Sequence, residues 1–529
     1  MAASPTSAWS PLRHALFRNV WIATVVSNIG TWMQDVGAGW LMTTLAPEPM
    51  MVALVQTASA LPAMLLVLPA GAVADIVDRR RYLIATQFFM FAVSMVLGVL
   101  TLLDIANAWT LLAFTFALGV GSALAAPASA ALTPELVPGS ELQAAIALNS
   151  IGVNVSRSVG PAIAGGIVAV TGPWAVFMLN AMSFCGVIMA LLAWRRERRR
   201  STLPAERFFG ALRTGLRFTR HTPALQMVLV RSFAFLVFAA ATWSLLPLIV
   251  RQELESGPEV YGVLLACIGI GAVACALFLP RLRNAFTPDQ LVAGGSVFYA
   301  AAMLVLAYVR DVYLLMLAMF MTGAAWISVL SCLNAAAQTV LPAWVRSRGL
   351  ALFMVGYMGS MAIGGVLWGH VATVTSIPLA LTAAAVGALI GAALTWTFKL
   401  GAHETTEIAP SMHWPAPVLS IDPEPDRGPI MVTVEYHINP GDAPEFVVAA
   451  HELEQIRRRS GAFAWGIFED MGVPGRYIEY FMSESWLDHL RQHERLTIAD
   501  RLTEEKAQAF QCGDTRPKVS HLVLARPAG

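Results

Sequence analysis

Residues 52 to 103 read VALVQTASALPAMLLVLPAGAVADIVDRRRYLIATQFFMFAVSMVLGVLTLL. Two apolar runs, 52 to 74 and 82 to 103, flank a short stretch that ends in Asp78, Arg79, Arg80 and Arg81. A bilayer core about 30 Å thick takes about 20 apolar residues in helical form, so each run is long enough to cross it. The basic stretch between them must then stay at one membrane face, and an antiparallel helix pair follows. Applied outward, the same rule predicts twelve spans near residues 19 to 43, 52 to 74, 82 to 103, 109 to 131, 143 to 170 and 174 to 194, then 225 to 250, 260 to 280, 291 to 309, 312 to 338, 349 to 373 and 378 to 398. Composition agrees: 57% of the 529 residues are hydrophobic and 13% charged, which excludes a string of soluble domains for most of the chain. A net charge of +1 provides no global basic field, so a nucleic-acid partner is not expected. Cys185, Cys267, Cys275, Cys332 and Cys512 show no metal or redox spacing, and neither disulfides, zinc nor another cofactor is expected. The first apolar stretch is too long for a signal h-region and should stay in the mature protein.

Lysine and arginine divide unequally between alternate loops. One set holds Arg13, Arg18, Arg79 to Arg81, nine arginines between Arg195 and Arg220, Arg281, Arg283, Arg346, Arg348 and Lys399; the other holds only Arg251 and Arg310. By the positive-inside rule both termini face the cytoplasm, with the long basic connection after span six on the inner leaflet. There Phe208, Phe209, Leu212, Leu216 and Phe218 alternate with Arg213, Arg217 and Arg220, as in a helix lying in the interface or a solvated basic linker. Sliding the sequence by 204 positions superposes Gly152 on Gly356, Ser156 on Ser360, Gly160 on Gly364 and Gly165 on Gly369. Two six-helix halves in parallel repeat are expected, residues 1 to 194 and 225 to 400, joined by a connection at 195 to 224.

Motifs sit at the span ends and interiors. In Gly71-Ala-Val-Ala-Asp75-Ile-Val-Asp78-Arg79-Arg80-Arg81, Gly71 permits close helix approach, and Asp75 beside three arginines and the N-terminus of span eleven suits a gate on the cytoplasmic face. In span five, Gly152, Ser156 and Gly160 form a small-residue stripe, followed by Pro161, which favours a kink, and by Gly165 and Gly166. Asp35 is the only acidic residue well inside a span, and Arg157 lies at similar depth, about 20 Å in at 1.5 Å per residue. An ionisable group there costs at least about 2.5 to 3.5 kcal/mol unless it faces water or a partner. Asp35 is therefore either a proton-titrating group modulated by Arg157 or half of a static pair that organises the bundle. Asn28, Gln34, Asn149 and Asn154 are candidate walls of a polar cavity around this pair, with Trp32, Trp40, Trp243 and Tyr357 as flat surfaces. Arg231 and His370 are expected to snorkel near span ends.

These residues resemble the major facilitator superfamily over about the first 400 positions. The loop from Gly71 to Arg81 matches the signature between spans two and three, with Asp78 where that pattern usually has glycine. Gly160, Pro161, Gly165 and Gly166 match the span-five antiporter motif, whereas span four lacks the arginine many drug/proton antiporters carry. The pattern is most similar to the bacterial transmembrane secretion effector, enterobactin-exporter-like branch. This resemblance implies a secondary transporter rather than an enzyme: proton-driven efflux of siderophores, drugs or other small amphipathic molecules by alternating access, with import or facilitated diffusion as the alternative.

After Gly401 the composition changes. Pro410, Pro415, Pro417, Pro423 and Pro425 make 401 to 429 an extended linker. From 430 to 529 the reading is a strand to Ile438, a helix from Ala443 to Arg459, strands over Phe463 to Glu469 and Tyr477 to Ser483, a helix from Trp486 to about Phe510 and a strand over Val519 to Ala525. The order βαββαβ is a ferredoxin-like α+β unit. It resembles antibiotic-biosynthesis-monooxygenase-like domains, which implies homodimerisation through the sheet. An enzymatic tail or a signalling output are the rival readings. His489 and His493, four apart on one helix face, read as exposed or interface side chains, since no third convergent ligand is evident for a metal.

Overall fold

The computed structural model describes residues 9–194, 215–400 except 343, 411, 413–414, 424, 427–513 and 516–525. Twelve long helices lie among them: α1 (Ala15–Leu45), α2 (Pro49–Ile76), α3 (Arg79–Leu102), α4 (Ala108–Ala130), α5 (Leu142–Thr171), α6 (Pro173–Ala193), α7 (Pro223–Leu248), α8 (Pro258–Ala285), α9 (Pro288–Tyr308), α10 (Val312–Val340), α11 (Arg346–Val374) and α12 (Ile377–Leu394). Eleven are long and apolar enough to cross a membrane. The exception is α1, whose middle carries Asn28, Gln34 and Asp35. Local chemistry sets the starts. Proline opens α2, α6, α7, α8 and α9, where its missing N–H would be unpaired anyway. Asp78 accepts from the Arg81 N–H at the start of α3, and Thr287 and Gln290 form a reciprocal cap on α9. The chain divides into two compact units.

In the first unit, residues 1–206, 229–334 and 353–398, glycines set the helix crossings. A Cβ at Gly160 would lie 2.7 Å from Trp32 Cβ of α1, and one at Gly364 would lie 2.5 Å from the Val237 carbonyl oxygen of α7. A Cβ at Gly165 would fall 2.7 Å from the Pro258 carbonyl oxygen of α8, and one at Gly369 would fall 2.6 Å from Ala53 Cβ of α2. Residues 204 apart thus touch helices six apart, because only glycine lets backbones approach this closely. The helix α5 continues without interruption through Pro161. Among the described residues, no atom outside the local helix lies within 4 Å of a Cβ added at Gly71 or Gly166, so they show no close approach at Gly71 in this conformation.

The second unit comprises residues 207–228, 335–352 and 399–529. Its sheet contains β1 (Ile430–His437), β2 (Ala464–Glu469), β3 (Arg476–Ser483) and β4 (Lys518–Val523), all antiparallel, in the order β2-β3-β1-β4. Three helices accompany it: α13 (Ala443–Ser460), α14 (Trp486–Arg495) and α15 (Ile498–Gln508). The single helix expected from Trp486 to Phe510 is two, because Thr497 caps a new start through a reciprocal bond with Asp500. Alternation along β1 and β3 buries Ile430, Val432, Val434 and Tyr436 against Phe446 and Phe481.

The basic connection is described only from residue 215, so Phe208, Phe209, Leu212 and Arg213 fall outside the described residues. Its described turn, 215–220, packs partly against protein, with Leu216 and Arg220 left exposed. Phe218 is 1% exposed, edge-on to Trp344, and Arg217 donates to the Gly461 carbonyl. Of the expected linker, Ser411, His413 and Trp414 are docked on the same unit: His413 Nε2 lies 2.8 Å and Trp414 Nε1 2.9 Å from Glu504.

Candidate functional site

Asp35 and Arg157 line one cavity of 140 Å³ between the two halves, together with Trp32, Gln56, Trp243, Tyr261, Trp326 and Tyr357. No ion pair within 4.0 Å joins the two charges. Instead the Arg157 guanidinium lies 5.3 Å above the Trp32 ring of α1 and 5.9 Å from the Trp243 ring of α7, one aromatic from each half. Such contacts hold a cation without a carboxylate and are worth about 0.5–2 kcal/mol. The aromatic wall continues through Trp243 to Trp326 at 5.5 Å and Trp326 to Tyr357 at 6.4 Å. Small-molecule pockets usually hold about 300–1,000 Å³, so the cavity is contracted here.

The end opposite the arginine-rich loops is latched across the halves. After α7 the helix widens over Ile249–Glu253, with the Leu254 N–H donating five residues back to Ile249 at 3.0 Å. This turn carries Arg251, which donates to Thr43 at 3.0 Å and Thr44 at 2.5 Å and lies 5.6 Å over Trp40. Gln252 donates to the Pro47 carbonyl at 3.0 Å, and the Met50 N–H to Thr373 of α11 at 3.1 Å.

A family model described as transmembrane secretion effector matches residues 6–528, the long helices and the C-terminal sheet together. The chain belongs to the transmembrane secretion effector family. It is therefore a multi-pass membrane transport protein of the major facilitator type. It is 27% identical over 257 residues to the staphyloferrin A transporter of Staphylococcus aureus, covering 48% of this chain and 64% of that relative, so it spans less than two thirds of that relative's length. It is 24% identical over 351 residues to the multidrug efflux pump Tap of Mycolicibacterium fortuitum, covering 64% of this chain and 84% of that one. Among solved structures a crystal structure of the nucleoside transporter NupG superposes with a TM-score of 0.61 at 12% identity, over 72% of this chain and 99% of that chain, which speaks for the fold.

In this secretion effector the other expected cavity residues disperse. Asn28 and Asn149 line a separate 380 Å³ hollow inside the N-terminal half, and Asn149 donates to Thr133 at 3.0 Å. Gln34 is buried among helices, its Oε1 accepting from Ser94 at 3.0 Å and Asn180 at 3.3 Å, so it knits α1, α3 and α6 rather than facing the cavity. Asn154 bonds back to the Ser150 carbonyl on its own helix at 2.8 Å. Trp326, Tyr261 and Gln56 also line the cavity of Asp35 and Arg157 and were not among the expected residues, because which aromatic or amide side chains reach it depends on how the helices cross.

The loop expected to act as a gate engages residues of its own half. Arg79 pairs with Glu135 at 2.9 Å, and Arg80 donates to the Leu191 and Leu192 carbonyls at 2.8 Å, neutralising the C-terminal end of α6. The Asp75 side chain lies outside the described residues. Arg231 does not snorkel: it is 2% exposed, bonded to Asp289 and, at 2.8 Å, to the Phe398 carbonyl.

The effector's C-terminal unit has its own buried polar centre. Arg457 bonds Glu479 at 2.9 Å and Glu504, while Trp465 and Tyr436 also donate to Glu479 at 3.0 and 3.2 Å. Burial opposes the charge of Arg457, but Glu479 and Glu504 outweigh it and hold its pKa above the ordinary value. Burial likewise opposes Glu504, yet Arg457, His413 and Trp414 prevail and hold its carboxyl at about 2. His489, expected at the surface, is 1% exposed. Burial first, then His493 and His521, push it down to about 3; burial, then His521, takes His493 to about 4.

Proposed function

We propose that this protein is a proton-coupled exporter of small amphipathic molecules, of the siderophore or drug class, working by alternating access in the bacterial inner membrane with both termini cytoplasmic. The observation that carries the reading is a carboxylate, Asp35, and a cation, Arg157, on the wall of one inter-half cavity yet not paired with each other. A deep carboxylate without a fixed counter-ion is free to take and release a proton as its surroundings alternate, which a static pair is not. The aromatic wall of Trp32, Trp243, Trp326 and Tyr357 suits flat or amphipathic cargo. The latch around Arg251 is the outer closure of an inward-facing state, and the arginines of the Gly71 to Arg81 loop together with Asp75 and Asp78 form the cytoplasmic gate. Gly160, Pro161, Gly165 and Gly166 act as the hinge between α5 and its neighbours. The twelve helices form two parallel six-helix repeats, supported by the matching crossings at Gly160 and Gly364. The tail is a ferredoxin-like accessory domain, supported by its strand order.

Everted membrane vesicles carrying the protein test this with a cationic dye and a siderophore as cargo. Wild type accumulates cargo when a pH gradient is imposed and stops when it is collapsed. Asp35→Asn, inserted at wild-type level, loses gradient-driven uptake to the level of empty vesicles; retained proton-driven uptake by this variant would eliminate Asp35 as the coupling group.

A further inference from the structure

The soluble tail brings together three imidazoles that nothing in the transport reading uses. His489 and His493 lie one turn apart on α14, and His521 comes from β4. One ring nitrogen from each lies within 4.8 Å of the others. His489 Nε2 and His493 Nε2 are 3.4 Å apart, and the His489 and His521 ring centroids 4.9 Å. Two nitrogens bound to one tetrahedral ion at about 2.0–2.1 Å are themselves about 3.3–3.4 Å apart, so the first pair already has the spacing of one edge of such a site. The third ring needs only a side-chain adjustment of about 1–1.5 Å to complete a face.

We propose that His489, His493 and His521 form a site for a borderline divalent transition ion of the zinc type. Three nitrogen donors and no carboxylate select Zn²⁺, Co²⁺, Ni²⁺ or Cu²⁺ over Mg²⁺ or Ca²⁺, which require oxygen ligands. Glu504, the nearby acid, is fully engaged by Arg457, His413 and Trp414 and leaves the fourth position to water or a small ligand. Aromatic rings surround the cluster: Trp414, Trp486 and Phe481 lie 4.9 to 6.4 Å from its histidines. His489 Nδ1 is buried without a hydrogen-bond partner, and beside it both amide atoms of Gln492, 0% exposed, are unpaired as well. Metal-bound histidines pass their second N–H to such an acceptor, and a turn of the Gln492 amide would supply it.

The test uses the full-length protein in detergent, stripped with chelator and then titrated with Co²⁺ and Zn²⁺. One equivalent of Co²⁺ should bind with the intense visible bands of a tetrahedral site, and Zn²⁺ should displace it stoichiometrically. His493→Gln and His521→Gln, both at half-buried rings and both keeping the far-ultraviolet spectrum, should each weaken Co²⁺ binding more than about 100-fold, beyond the usual loss for removing a mere supporting group. His451→Gln, elsewhere on the tail, should bind as wild type. Absence of the bands in wild type, or their persistence in both cluster variants, overturns the site.

Discussion

Two acid–base pairs inside the helical unit are treated in opposite ways. Arg231 and Asp289 are bonded to each other, and Arg231 also holds the Phe398 carbonyl, so three segments of chain meet on one cation. Asp35 and Arg157 share a cavity but not a bond, and the cation leans on tryptophans from both halves. A buried charge in direct pairing is fixed, and its removal strands its partner. A charge held by ring faces keeps its position without locking the neighbouring acid into one protonation state. The contrast fits the proposal that Arg231 and Asp289 organise the bundle while Asp35 carries the coupling.

The widest test of the contrast is to neutralise one acid from each pair. Asp289→Asn leaves Arg231 buried without its carboxylate and should cost about 3–5 kcal/mol, seen as a lower melting temperature in detergent and less inserted protein. Restoring apolar packing with Arg231→Met and Asp289→Leu together should recover most of that loss. Asp35→Asn should leave the melting temperature near wild type while removing coupled transport. If the two single variants exchange phenotypes, the assignment of one pair to structure and the other to function is wrong.

Much of this was legible in residue order, and the remainder has a physical reason for its silence. Span lengths, the basic loops, the prolines at helix starts and the glycine stripe act locally, through desolvation and backbone approach, and so leave a pattern in the chain. The cavity wall is harder. Asp35, Trp32, Val36 and Gly39 lie on one side of α1, whereas Gln34 is turned by about 100° per residue away from Asp35, onto α3 and α6. Helical phase could therefore have removed Gln34 from the candidates. Trp326 and Tyr261 could not have been found that way, since their contribution depends on which helices cross. His521 is the clearest case: it lies 28 positions after His493 and reaches α14 only because β4 pairs with β1.

The soluble tail repeats the fixed pattern of Arg231 and Asp289, and there pH can probe it. Glu504 is held at about 2 in the folded protein, below the ordinary 4.5, so the unfolded chain binds a proton between those values that the folded tail does not. Stability from this group is complete above about pH 4.5 and is lost as pH falls toward 2, up to about 3 kcal/mol in all. Unfolding of the tail followed by tryptophan fluorescence should steepen over that window in wild type. In Glu504→Gln, which is less stable at neutral pH, the acid-dependent part should shrink; an unchanged acid profile would remove Glu504 from the charge network.

The smallest expected effect concerns the latch rather than the charges themselves. Arg251 contributes two hydrogen bonds to Thr43 and Thr44 and a face contact with Trp40, at a partly exposed position where such bonds are worth roughly 1–2 kcal/mol together. Arg251→Ala should therefore raise the population open at this end about tenfold, without changing the chemistry of Asp35. Val55 lies on the cavity wall and is buried, so a cysteine there reports opening. A membrane-impermeant maleimide applied outside should modify Val55→Cys faster in the Arg251→Ala background than alone. Equal rates would mean that glycine-mediated crossings such as Gly165 on α8, rather than the polar corner at Arg251, hold the halves together.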